Sequence, residues 1–317
     1  MDSSNPWNLA RSHSGLVSVG THSLFLSVAG PPREALKPVV LVEAGIADCS
    51  NAWPALVRLV SQFARIYTYD RAGWGRSSSI DTSTGPRSAT AIANEFSALL
   101  RAAGVAGPYI LLGHSYGGIL VRELFALKPH DCVGLVFVDA VMEDDLKIDW
   151  PYPAMHGMLG SLNIFEVTGL VKRTKLTPEE WEAFEQGEHQ PRNGESSAAE
   201  FAALRQTGED LEAKRQLQNC ALEDRPVSVI RAHREMDWQR VYEAGLKEGN
   251  GTEEQRKILG DFLKIMGDIC RENQTKLLKL SRKSRMVEVP DCGHQVNQER
   301  PDVVADEIQW MMESYVG

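Results

Sequence analysis

Residues 109–127 most narrow what this chain can fold into. Tyr109-Ile-Leu-Leu112 is a short apolar run with strand character, and Gly118-Ile-Leu-Val-Arg-Glu-Leu-Phe-Ala-Leu127 has the apolar spacing of an amphipathic helix. Between them stands Gly113-His-Ser-Tyr-Gly117. A strand that passes into a helix over so short a span needs a tight, strained corner, and the residues flanking it must lack bulk. Gly113 and Gly117 meet that demand. Such a nucleophile elbow lifts Ser115 clear of the backbone. The next backbone N–H then points to where a reacting carbonyl would sit, and the helix N-terminus favours negative charge there.

The flanking sequence supplies a matching architecture. Gly15-Leu-Val-Ser-Val19 and Leu24-Phe-Leu-Ser-Val28 read as an antiparallel pair joined around Gly20-Thr-His22. Strand character recurs at Val39-Val-Leu-Val42, Arg65-Ile-Tyr-Thr-Tyr-Asp70 and Gly134-Leu-Val-Phe-Val-Asp-Ala140, and helical spacing at Ala89 to Leu100. Strands alternating with helices predict an α/β fold with a mostly parallel sheet covered on both faces. From about Val141 to Asp224 the alternation stops. Thr177-Pro-Glu-Glu180 and Ser197-Ala-Ala-Glu200 read there as capping boxes that start helices. Strands return at Pro226-Val-Ser-Val-Ile-Arg-Ala232 and Met286-Val-Glu-Val289, with a mostly helical stretch over roughly 240–283 and a closing helix from Pro301 to about Tyr315. The expected division is a core of residues 15–140 and 226–317, a helical cap over 141–225, and an N-terminal tail over 1–14.

Composition sets limits rather than identity. The 317 residues fit one large α/β domain with an insertion. A net charge of −9 argues against nucleic acid and anionic membranes as partners. No run approaches the ~18 apolar residues of a membrane span. The opening Met1-Asp-Ser-Ser-Asn-Pro-Trp-Asn8 lacks a basic start and an apolar signal core, so a cytoplasmic protein without membrane insertion is expected. Cys49, Cys132, Cys220, Cys270 and Cys292 are odd in number and widely spaced, which predicts reduced thiols and offers no zinc spacing. Cys292, two residues before His294, is a candidate for oxidation sensitivity.

A serine is a weak nucleophile until a base takes its proton. His294 is the candidate base, in Asp291-Cys-Gly-His-Gln-Val-Asn-Gln-Glu-Arg-Pro301 between the last strand and the final helix. His114, beside the serine, is expected to turn away from it across the elbow. Asp70 to Ser77 reads as a structural turn permitted by Gly73 and Gly75, with no chemistry assigned to it.

Four pieces together, Glu43-Ala-Gly-Ile46, Tyr69-Asp-Arg-Ala-Gly-Trp-Gly-Arg-Ser77, the elbow, and Gly293-His-Gln-Val296 with the following Glu-Arg-Pro, resemble the α/β-hydrolase superfamily along nearly the whole chain. Within it the chain is most similar to capped ester hydrolases that carry Glu-Ala-Gly where many members have His-Gly. The resemblance implies an oxyanion hole made of the backbone N–H groups of Tyr116 and Ile46. It also implies a carboxylate behind the histidine, at either of two strand ends. Asp139 is favoured, with Glu235 and Asp237 as alternatives and a helix-capping role for Asp139 as the competing reading. Relatives that hydrolyse epoxides or haloalkanes use an aspartate at the elbow, so Ser115 points instead to acyl transfer. The expected activity is hydrolysis of a small-to-medium, fairly apolar carboxylic ester, without metal or organic cofactor. The Met and aromatic residues of the cap (Trp150, Met155, Met158, Phe165) either line the pocket or pack the cap's own interior. A lactone or thioester substrate is the alternative, as is a non-hydrolytic small-molecule-binding or cyclase role on the same fold.

Overall fold

The computed structural model describes residues 4–79 and 85–315. Eight strands, β1 (Ser12–Ser18), β2 (Ser23–Ala29), β3 (Val39–Glu43), β4 (Ile66–Tyr69), β5 (Tyr109–His114), β6 (Cys132–Val138), β7 (Val227–Arg231) and β8 (Ser284–Glu288), form one sheet. Its order is β1-β2-β4-β3-β5-β6-β7-β8. The first two pairings are antiparallel and the rest parallel. Strands β3 to β7 are buried at every position but Val133 of β6, which explains why they read as apolar runs rather than as alternation.

Helices α1 (Pro6–Leu9), α2 (Pro54–Val60), α3 (Ala89–Ala102) and α4 (Gly117–Leu127) belong to the first half of the chain. Between β6 and β7 lie α5 (Tyr152–Leu159), α6 (Ile164–Thr168), α7 (Leu170–Arg173), α8 (Pro178–Glu188) and α9 (Asn193–Ala213). Then α10 (Arg234–Glu248) and α11 (Glu253–Lys276) precede β8, and α12 (Val296–Glu299) and α13 (Pro301–Ser314) close the fold. One apolar cluster joins α3 and α4 to one face of the sheet, and a second joins α2 and α13 to the other. The sheet is therefore covered on both sides.

Three local expectations meet a different outcome. Thr177 does cap α8, with the reciprocal Glu180 contact in place, but Ser197 lies inside α9, which already starts at Asn193. The Glu200 carboxylate is taken by Arg71 and Trp74, so it does not fold back on a helix terminus. The segment read as an N-terminal tail is tied to the core. Arg65 donates to Trp7 O at 2.7 Å and to Ala10 O at 2.8 Å, Asn8 Nδ2 donates to Gly104 O at 3.0 Å, and β1 begins at Ser12. Helices α10 and α11, read as part of the core, pack against α5 and α6: Met155 and Met158 are buried against Leu259, with Trp150, Trp238, Tyr242 and Phe262 around them.

Candidate active site

At the end of β5 the chain turns on Ser115 with φ 54°, in the left-handed region that a residue with a side chain adopts only under strong local constraint. The constraint is visible on both sides. A Cβ on Gly113 would sit 2.3 Å from Gly117 O, and one on Gly117 would sit 2.2 Å from Glu43 O. No side chain fits at either position. Ser115 O accepts from Gly118 N at 3.0 Å and from Val141 N at 3.0 Å, so the corner is tied to α4 and to the strand-end beyond β6.

His294 lies in the loop after β8 and reaches back over the sheet. Its Nδ1 is 2.6 Å from Asp139 Oδ2. Asp139 follows β6, has φ 39° and no exposed surface. Burial alone would raise its carboxyl. The Arg234 guanidinium and the contacts with His294 and Gln274 together outweigh that and hold it well below the usual carboxylate range. Arg234 Nε donates to Oδ2 at 2.9 Å and its Nη2 to Asp139 O, while Gln274 Nε2 donates to Oδ1 at 2.9 Å and Ala232 N at 3.3 Å. Every acceptor direction of the carboxylate is occupied, one by the imidazole. Among the described residues no hydrogen bond joins Ser115 Oγ to His294, a contact that in unliganded sites is often long and tightens around substrate.

The other two carboxylates go elsewhere. Asp237 Oδ2 accepts the backbone N–H of His294 at 2.7 Å and lies against Gly293, where a Cβ would fall 2.2 Å from it. Asp237 therefore shapes the histidine loop and leaves the imidazole to Asp139. Glu235 accepts from Arg231 at 3.2 Å and faces His233 Nδ1 at 2.9 Å.

His114 faces the histidine loop. Its ring centroid is 4.5 Å from that of His294, and its Nε2 is 2.9 Å from His294 O. Burial, with the neighbouring His294 adding to it, pushes its pKa down to about 3, so it is a neutral donor that pins the histidine loop. Cys292 is fully buried and its thiol is pushed up by that burial, which makes it a poor target for oxidation.

The loop after β3 runs beside the serine: a Cβ on Gly45 would lie 3.1 Å from Ser115 Cβ and 3.6 Å from its Oγ. Arg71 Nη1 donates to Ala44 O at 2.9 Å and Nη2 to Gly45 O at 2.7 Å. Among the described residues neither Ile46 N–H nor Tyr116 N–H has a hydrogen-bond acceptor. The half-buried side chains of Ile46, Val141, Leu146 and Leu204 pack against the apolar cluster that contains Tyr116, Ile119 and Leu120. Met155 and Met158, by contrast, pack the interior of the helical layer. Asp70 holds its turn as expected, accepting from Ser50 N and Arg76 N at 2.8 Å each. Sequence reasoning missed Arg71, Arg234 and Gln274. An arginine or glutamine in a helix or turn carries no pattern that separates a buried donor from a solvated one.

The model of the alpha/beta hydrolase family matches residues 39–307, and this chain belongs to that family. It is 32% identical to an AB hydrolase superfamily protein of Gibberella zeae, over 96% of this chain and 97% of that one. It is also 33% identical to the probable transporter efuK of Hormonema carpetanum over 98% of this chain, which spans only 44% of that protein. Among solved structures it is similar in fold to the epoxide hydrolase CorEH, with a TM-score of 0.61 at 14% identity, covering 96% of this chain and 99% of that one. Among the described residues no helix is long and apolar enough to cross a membrane.

Proposed function

We propose that this chain is a serine hydrolase that cleaves a carboxylic ester of a small-to-medium, fairly apolar substrate through an acyl-enzyme. The observation that carries the reading is the pairing of His294 Nδ1 with the buried Asp139 carboxylate at 2.6 Å, above an elbow that strains Ser115 out of the backbone. In this mechanism Ser115 Oγ attacks the ester carbonyl while His294 Nε2 takes its proton. Asp139 keeps the other proton on Nδ1 and stabilises the imidazolium. The carbonyl oxygen, now negative, takes hydrogen bonds from Ile46 N–H and Tyr116 N–H. His294 then protonates the departing alcohol, and later activates the water that releases the acid. Ile46, in the loop beside the serine, and Val141, whose N–H bonds Ser115 O, are half-buried apolar residues and support an apolar acyl group there.

CorEH shares the fold at an identity that carries no chemistry across, and a serine at the elbow favours acyl transfer over opening of an epoxide. The reading is tested by intact mass after fluorophosphonate treatment of the wild type and Ser115→Ala. One adduct on the wild type and none on the variant is expected, followed by turnover in a panel of esters, lactones and thioesters. A folded wild type that takes no adduct overturns the reading.

A further inference from the structure

Arg71 is fully buried and forms a bidentate ion pair with Glu200 of α9, Nε to Oε1 at 2.9 Å and Nη2 to Oε2 at 3.1 Å. Glu200 also accepts from Trp74 Nε1 at 2.9 Å. The same guanidinium also donates to Ala44 O and Gly45 O, the two carbonyls that precede the Ile46 amide. A peptide plane is rigid, so fixing the Gly45 carbonyl fixes the direction of the Ile46 N–H bonded to the same carbon. The planar fork is suited to this in a way that a lysine is not.

Helix α9 is fastened along the same turn by further bonds. Ser196 Oγ donates to Gly73 O at 3.0 Å, Arg192 Nη1 to Ser77 O at 3.0 Å, and Arg87 N to Ala199 O at 2.9 Å. The layer above the sheet and the loop beside the serine are thus joined through one side chain.

We infer that Arg71 and Glu200 are positioning residues: seated α9 holds Arg71, and Arg71 aims the Ile46 N–H at the oxyanion. This rests on the serine-hydrolase reading and adds a second demand to it, that the loop works only when α9 is docked. Neither residue touches substrate, so the effect is on rate and not on binding.

The test uses fluorophosphonate labelling kinetics, which need no knowledge of the natural substrate. Arg71→Met alone would strand a buried carboxylate and endanger the fold, so the informative protein is R71M/E200Q, which removes both charges and leaves Trp74 an acceptor. Its folding is checked by circular dichroism and its melting temperature. The maximal labelling rate is expected to fall about 10²-fold, comparable to loss of one oxyanion donor, with the half-saturating probe concentration within about threefold of wild type. Arg71→Lys, which cannot hold both carbonyls and the carboxylate together, is expected to recover only a small part of that loss. A folded R71M/E200Q with the wild-type maximal rate overturns this inference alone. A wild type that is not labelled at all overturns the serine-hydrolase reading and this inference with it.

Discussion

Asp139 and Arg234 form an ion pair sealed beneath His294: the Arg234 Nε donates at 2.9 Å to the same Oδ2 that His294 Nδ1 approaches at 2.6 Å. The carboxylate is held by groups from separate parts of the chain, with Ala232 N and Gln274 of α11 completing its shell. The pair keeps Asp139 charged in a place where burial alone would neutralise it.

Asp139→Asn is expected to lower ester turnover by about 10⁴, because an amide cannot hold the imidazole in the required tautomer. It also leaves the Arg234 charge unpaired, which costs about 3 kcal/mol of stability. Turnover and urea midpoints measure the two effects separately. Glu235→Gln, at a carboxylate bound to Arg231 and His233, is expected to keep the rate within about threefold of wild type, since the variant touches neither the imidazole nor its loop. A large loss in Glu235→Gln with little in Asp139→Asn would exchange their roles.

Two glycines separate folding from chemistry. Gly117→Ala places a Cβ 2.2 Å from the Glu43 carbonyl, backbone against backbone, and is expected to destabilise by about 3 kcal/mol or more. Gly45→Ala meets Ser115 Cβ at 3.1 Å, where a small shift suffices. That variant should stay folded and label with fluorophosphonate about tenfold more slowly, since a misplacement of this size at a nucleophile can cost up to about 10². Equal melting temperatures for the two proteins would contradict this.

Glu43, wholly buried at the end of β3 and accepting from Tyr69 Oη at 2.8 Å, is pushed by burial up to about 8 from 4.5. At pH 7 the folded protein holds this proton and the unfolded chain does not. Stability therefore falls as pH rises from about 4.5 to about 8, by on the order of 5 kcal/mol from this group. Glu43→Gln mimics the protonated form, so its stability relative to wild type should rise over that window. Urea denaturation at pH 5 and pH 8 reads the difference. A constant difference between the two pH values would show that Glu43 is ionised in the fold.

His114 acts at the acid side. Burial lowers it to about 3 from 6.5, so below pH 6.5 the unfolded chain takes a proton that the folded one refuses. Stability from this group is lost as pH falls from about 6.5 toward 3, again on the order of 5 kcal/mol. His114→Gln can still donate to His294 O and should flatten this acid limb. An unchanged limb would mean that another group is responsible.

The elbow was legible because its chemistry is local: Gly113, Ser115 and Gly117 are close in sequence, and the apolar runs beside them announce strand and helix. The position of His294 was legible for the same reason, between a strand and a proline-started helix. The Ser197 capping box misled because the same residue pattern serves inside a helix when its glutamate has a stronger partner, here Arg71 and Trp74. The partner of His114 was not legible, because elbow geometry alone does not show that the His294 carbonyl comes within 2.9 Å of its ring.

What the sequence by itself determined is the alternation that builds a covered parallel sheet, and the strained corner that raises Ser115. Both follow from periodicity and from residues that only a few backbone conformations accept. Only the tertiary structure shows that the Asp139 carboxylate, and neither Glu235 nor Asp237, meets the His294 imidazole, and only it places Arg234 and Gln274 around that carboxylate and Arg71 beneath the loop beside the serine. Those choices depend on the direction of side chains brought together from opposite ends of the chain. Hydrogen-bond geometry over a few tenths of an ångström settles them, and sequence spacing carries no record of it.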